Sequence, residues 1–599
     1  MKKMLAWLLA AVMMLSISVP AFAEETNAVV VGATTQMSGH FFTDLWGNNT
    51  SDMDVRGLIH GYATIAWVAQ GAYEMDPVAV EEITFEDDEN GNRTYTIKIQ
   101  KDLCYNDGTQ ITAKDYVFSV LLQSSDEIAE IGATNMNYGH LLGHAAYAAG
   151  ESDVLKGVRL VDDYTFQLTV DAGNLPYYYE LALVNVMPYP AAVIAPGCEV
   201  KDDGEGAYLA GEFTAEVLNN TILGENGYLS HPSVSCGAYK LVSFNSDAKV
   251  AEFEVNPYFK GNKDGVKPSI AKITFKQVDN DTMLDELENG TVDLINKVTS
   301  GTVLTAAEQA GVKMDGYGRA GLAMLAFSCE NKLTSSPLLR QAMAYLVDRN
   351  ALCEEFLKGY GQPVYSYYGL GQWMAAEGKA ALNNLKKFEY SEQNAAFLLY
   401  EDGWTRDATY ERYTLRNGTR AKVFEGDETA TSLKLHFARP ANNQAADIVE
   451  AQLLAAGKAV GFELEVTEMS MSELLSYYYR QQDRSEYDLF FLATNFSQVF
   501  DPYYNYHTDE AYQGVYNRSG LKDEKLMELA KAMRETAPGD KAAYLAAWEA
   551  FITYWQEAMP AVPLYSNNYY DLYTEKLTGY EIAPTWSWSQ AIIGAKIAE

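Results

Sequence analysis

The chain has 599 residues and a formal net charge of −36, with 81 acidic against 45 basic side chains. That length exceeds what one hydrophobic core can serve and implies two or three domains. So acidic a surface repels nucleic acid and anionic membranes, which excludes both as partners.

The first residues have the form of an export signal. Lys2 and Lys3 make a positive start, Leu5 to Val19 an apolar run, and Ala21-Phe22-Ala23 an Ala-x-Ala cleavage site before Glu24. The run is too short to span a bilayer, and no later apolar stretch reaches that length. Removing 1–23 takes away two lysines and leaves −38. The five cysteines, Cys104, Cys198, Cys236, Cys329 and Cys353, all lie far downstream. None follows the cleavage site as a lipid-bearing cysteine does, so the expected location is periplasmic or extracellular. An odd number of thiols in an oxidising compartment cannot pair completely within one chain. Buried thiols are expected, with at most one disulfide.

Ala28 to Gly32 has the pattern of a buried strand, running into a polar loop over 33–40. In open α/β sheets such loops line the ligand crevice, which makes Gln36, Met37 and Ser38 candidate ligand contacts. From Thr94 to Gln100, Tyr95, Ile97 and Ile99 alternate with polar residues, the period of a half-buried strand. Asn106-Asp107-Gly108 then supplies turn chemistry. Thr112 is placed as a helix N-cap, with the Asp115 carboxylate able to reach back to the cap N–H. His140 and His144 stand four residues apart, so a helix would put them on one face. Neither a zinc-protease glutamate nor a third ligand accompanies them, and no metal or cofactor is assigned. Asp87-Asp88 and Asp202-Asp203 sit in polar, glycine-flanked segments and suit solvated loops better than paired glycosidase carboxylates. A Gly-x-Ser-x-Gly elbow and a Walker A sequence are both missing, so no enzyme is expected. Further on, Leu339, Ala342, Met343 and Leu346 recur at helical spacing and predict one buried face. Aromatic residues make up 12% of the chain, 42 of them tyrosines, clustered around 365–368, 477–479 and 503–506, with Trp586 and Trp588 near the end.

Several of these stretches together resemble the peptide/nickel class of extracellular solute-binding proteins that serve ABC importers. Tyr105-Asn106-Asp107-Gly108 followed by Thr112-Ala113-Lys114-Asp115 is similar to that class's Phe-Ser-Asp-Gly and Thr-Ala-x-Asp. The stretch 235–261, the Leu-x-x-Gly-x-Val-Asp pattern ending at Asp293, Arg340-Gln341-Ala342 with Asp348-Arg349, the Gly403-Trp404 segment, Asp501-Pro502 and the run 560–565 follow in the family's order. The resemblance implies an α/β, two-lobed periplasmic-binding-protein fold with a hinge, class II-like, and an extra domain inserted in the first lobe. The implied division is 24–70, 234–322 and 566–599 for lobe I, 71–233 for the inserted domain and 323–565 for lobe III, with hinges near 322 and 565.

The function so implied is capture of peptides outside the cytoplasmic membrane by a monomer, with delivery to membrane permease subunits on lobe closure. An oligosaccharide ligand on the same fold is the alternative, and a secreted hydrolase a more distant one. The resemblance also places Asn442 and Asn443 in a ligand-contacting loop, and Asp501 and Tyr503 beside the cleft. Peptide-binding relatives carry an aspartate for the peptide amine a few residues before Asp-Pro. Here that place falls to Ser497 or Gln498, so Gln498 is the candidate contact, through a neutral rather than a charge-assisted bond. Arg439, Arg480 and Arg484 are the nearby bases for a ligand carboxylate.

Overall fold

The computed structural model describes residues 27–598 apart from 48, 69–71, 135, 416–417 and 515. The export signal expected over 1–23 lies outside the described residues. Among the described residues no helix is long and apolar enough to cross a membrane.

A 12-stranded mixed sheet organises the molecule. Ten of its strands run in the order Tyr239–Asn245, Val250–Val255, Lys272–Gln277, Ala28–Ala33, Leu294–Val298, Ala561–Tyr573, Gly321–Phe327, Leu489–Asn495, Lys434–Pro440 and Glu463–Met469, and the other two, Lys313–Gly318 and Gly361–Pro363, also pair with Ala561–Tyr573. Ala28–Ala33 pairs in parallel with both its neighbours, as crossover connections require. Successive residues of these strands face opposite layers. Val29, Val31 and Leu294 enter the large core, whereas Ile295 and Leu572 join a smaller cluster beneath the helices Met283–Glu288 and Gly301–Ala310. Period-two alternation with apolar residues on both faces is what a sheet covered by helices on both sides needs.

The sheet has two halves, joined by the long strand Ala561–Tyr573. Its first part pairs with Gly321–Phe327, Ala323 opposite Tyr565, while its second pairs with Lys313–Gly318, Gly318 opposite Asn568. Between them the ladder breaks at Arg319–Ala320. There the Ser566 hydroxyl donates to the Gly321 carbonyl at 2.7 Å, and the Arg319 N–H donates to the Asn567 carbonyl at 3.1 Å. Gly321 has no room for a side chain, since a Cβ there would lie 2.1 Å from the Thr494 carbonyl oxygen.

The segment 80–170 carries its own antiparallel four-stranded sheet, Val80–Asp87, Arg93–Ile99, Thr165–Val170 and Val158–Asp162, covered by the helix Ala113–Ser124. Tyr95, Ile97 and Ile99 are buried, as their alternation predicts. Asp115 accepts from the Thr112 N–H at 2.8 Å and closes the expected capping box. The helix predicted around 339–346 forms over Pro337–Ala344, and Leu339, Ala342 and Met343 face the core. His140 lies in a turn ahead of the short helix His144–Ala148, so the two histidines do not share a helix face. Each ring instead meets a carbonyl, Leu183 at 2.6 Å and Asn137 at 3.0 Å. Burial lowers the His140 imidazole to about 4, which keeps it neutral. All five cysteines are free thiols, so the single disulfide allowed for above does not form. Burial pushes Cys236 and Cys353 up to about 12, which leaves them inert.

Candidate ligand-binding cleft

The helix Thr50–Ile59 builds one wall of a cleft of about 390 Å³. Asn49 caps this helix by accepting from the Ser51 N–H at 2.9 Å. The loop before it clamps the cap. The Gln36 carbonyl accepts from Asn49 Nδ2 at 2.7 Å, and Ser38 donates its N–H and its hydroxyl to the buried Asp52 carboxylate. Thr50, Met53 and Asp54 thereby face the cleft from the near half. Asn495 to Gln498 and Trp373 face it from the far half, and Trp586 from the C-terminal segment. The volume falls in the range of small-ligand pockets, and the lining combines aromatic faces with a few polar groups.

At the cleft floor Lys297 meets Asp54, with Nζ 3.2 Å from Oδ2. Lys297 lies at a bulge between Ile295 and Val298 and has a left-handed backbone, φ 55°. Such a conformation costs about 1–2 kcal/mol for a residue with a Cβ. The buried Asp571 carboxylate holds it there, accepting the Lys297 N–H at 2.8 Å and the Tyr580 hydroxyl at 2.5 Å. Burial raises the Asp54 carboxyl against the pull of Lys297. Burial would also lower the Lys297 ammonium, but attraction by Asp54 and Asp571 leaves it raised and charged. Asp571, wholly buried, is pushed up to about 7.

A second cavity of about 350 Å³ adjoins the first and shares Thr50, Lys297, Asn495 and Tyr569 with it. It also exposes Thr34, Thr35 and Arg319. Arg319 donates to Asn495 Oδ1 at 2.6 Å and to Asn567 Oδ1 at 3.2 Å, so it ties the far half to the crossing strand.

Of the residues expected to touch ligand, Gln498 lines the cleft and reaches across it, donating from Nε2 to the Thr585 carbonyl at 3.2 Å. Gln36 and Ser38 stand behind the cleft and position the helix that walls it, while Met37 is packed in the core. Asp501 ion-pairs with Arg534 and accepts the Tyr503 N–H at 3.2 Å; the Arg534 guanidinium lies 5.7 Å from the Tyr503 ring. Asn443 caps the helix Gln444–Val460, and Asn442 before it is exposed with φ 55°. Arg480 and Arg484 both pair with Glu330 at 3.0 Å, and Arg439 pairs with Asp447, Glu450 and Glu468. Among the described residues the charges that face the cleft are Asp54 and Lys297, and Arg319 faces the adjoining cavity; sequence spacing singled out none of the three. Arg319 had one local signal: it stands in a glycine-flanked stretch just before the expected hinge at 322.

This geometry belongs to a known class. Residues 74–517 match the bacterial extracellular solute-binding proteins, family 5, and the chain belongs to that family. Over 568 residues it is 21% identical to the oligopeptide-binding protein AppA of Bacillus subtilis, covering 94% of this chain and 90% of that one. The structure of that AppA in complex with a nonapeptide superposes with a TM-score of 0.67 at 18% identity, covering 96% of this chain and 99% of the other. NikZ from Campylobacter jejuni in complex with Ni(L-His) superposes with a TM-score of 0.65 at 16% identity, covering 95% and 99%. The fold is thus the two-lobed periplasmic-binding-protein fold, and these relatives are solute-binding proteins rather than enzymes. Family members are periplasmic or extracellular components of ABC importers.

Proposed function

We propose that this protein captures peptides outside the cytoplasmic membrane and hands them to the permease subunits of an ABC importer when its two halves close. The observation that carries the reading is the cleft itself: it takes side chains from both halves of the sheet, so a ligand there contacts both at once. A ligand that binds the closed arrangement better shifts the population towards it, and a few kcal/mol suffice. The similarity to AppA along most of the chain favours a peptide over other solutes. In this reading the chain divides into 24–70 with 234–322 and 566–599, an inserted 71–233, and 323–565. It acts as a monomer after loss of 1–23. Gln498 contacts the ligand, and Gln36 and Ser38 hold the helix that walls the cleft. The protein performs no reaction on its cargo.

A second reading keeps the fold and takes an oligosaccharide. It is favoured by the indole rings of Trp67, Trp373 and Trp586 along one cleft, which suit stacking on sugar faces. Thermal unfolding with a peptide library beside a glycan library separates the two, because a ligand of the native state raises its stability with concentration. Stabilisation by glycans and by no peptide would reject the first reading. Consumption of any ligand would reject both.

A further inference from the structure

The cavity that adjoins the cleft has a charge opposite to that of the molecule around it. It is lined by Lys297 and Arg319, by the hydroxyls of Thr34 and Thr35, by amides and by phenols; among the described residues no carboxylate lines it. Asp54, the partner of Lys297, lines the neighbouring cleft instead. Among the described residues Arg319 has no carboxylate partner: its three hydrogen bonds go to the Asn495 and Asn567 side-chain oxygens and the Thr494 carbonyl. A guanidinium has five N–H donors, so two are left over. Asp54 and the buried Asp571 both attract Lys297, so the charge bound only to neutral oxygens is that of Arg319, in a protein whose net charge is −36. A half-buried guanidinium bound only to neutral oxygens gains most from an anion, and its planar fork matches an oxyanion in two places.

We propose that the cavity between Lys297 and Arg319 is an anion subsite that holds a carboxylate end of the cargo. This rests on the cleft being the ligand site, but not on the ligand being a peptide. The subsite also lies at the ladder break, where Arg319 already bridges Asn495 of the far half and Asn567 of the crossing strand. An anion bound there adds a contact at the line about which the halves are joined.

The experiment is isothermal titration of the full mature chain with acetylated peptides in matched pairs, free acid against C-terminal amide, alongside thermal shift with succinate and inorganic phosphate. Free acids should bind about tenfold or more tightly than their amides. A further pair with a glutamate side chain and an amidated end distinguishes a terminal from a side-chain carboxylate. Arg319→Gln should bring acid and amide within about twofold, and Arg319→Lys should restore part of the preference. Lys297→Gln, judged by the same ratio, serves if Arg319→Gln does not fold. Equal affinity for acid and amide in the unaltered protein overturns the subsite while leaving peptide binding intact. Stabilisation by succinate or phosphate that depends on Arg319, with no response to any peptide, keeps the subsite and rejects the peptide. No response to peptides or to either anion overturns both.

Discussion

Gln498 and Thr585 meet across the cleft, the side-chain amide of one donating to the backbone carbonyl of the other at 3.2 Å. One residue belongs to the far half and the other to the C-terminal segment of the near half, so this bond is part of what holds the halves together. Gln498→Asp removes the donor and sets a carboxylate against a carbonyl. Without ligand the halves should separate more readily. With a ligand carrying a free amine, the new carboxylate offers a charge-assisted partner. The affinity ratio of free-amine to acetylated peptides should rise about tenfold in isothermal titration. An unchanged ratio means this position does not face the amine.

Tyr178 of the inserted segment stacks on Tyr544 of the far half, ring centroids 4.0 Å apart, and the Tyr178 N–H donates to the Arg534 carbonyl at 2.9 Å. An aromatic pair of this kind contributes about 0.5–1.5 kcal/mol beyond its buried area. Tyr178→Ala should enlarge the ligand-free radius of gyration in small-angle scattering and weaken ligand binding several-fold. Identical scattering curves for variant and parent would show that the stack does not hold the halves.

Asp571 sets a pH signature. Its folded pKa of about 7 lies above the usual carboxylate value, so between roughly pH 4 and pH 7 the folded state holds a proton that the unfolded state has released. This group's contribution to stability is therefore greatest at low pH and falls as the pH rises through that window. Asp571→Asn removes the dependence. The melting temperature of the variant relative to the parent should climb from pH 4 to pH 7 and level off above it. A constant difference would contradict the raised value.

Arg340 is fully buried and donates to four carbonyls, those of Thr334, Ser335, Ala558 and Met559. Two of these lie at the C-terminal end of the helix Lys541–Ala558, where a cation also suits the helix dipole. Arg340→Met should cost about 3 kcal/mol or more in urea unfolding, because buried carbonyls lose their partners. The acid-to-amide preference of the cleft should be untouched. A urea midpoint equal to the parent's would remove Arg340 from the framework.

Arg340 also shows what a sequence can disclose. It is the arginine of the Arg-Gln-Ala stretch that carried part of the family resemblance, and its work is structural. The same holds for Thr112 and Asp115, three residues apart, whose capping box is a local matter of spacing. Signals of this kind outlined the strands and helices well. The charged floor of the cleft is different. Lys297 and Asp54 are 243 residues apart, and Lys297 takes its orientation from a bulge and from Asp571, both set by tertiary pairing. Gln36 and Ser38 share a loop with Thr34 and Thr35, which line the second cavity, because a strand's last residues and the following turn differ in facing by a single step. Arg439, Arg480 and Arg484 could be seen as bases but not as bases already matched with acids of their own.

The two strands that pass between the halves run side by side, and this restricts how the molecule can deform. A pair of adjacent threads resists stretching along its length and sliding of one against the other, yet it yields to flexure about the line at Arg319 and Ser566 where the ladder is interrupted. In the function proposed above, closing the halves is then a change of one angle at that line, and it is this angle that the permease subunits read.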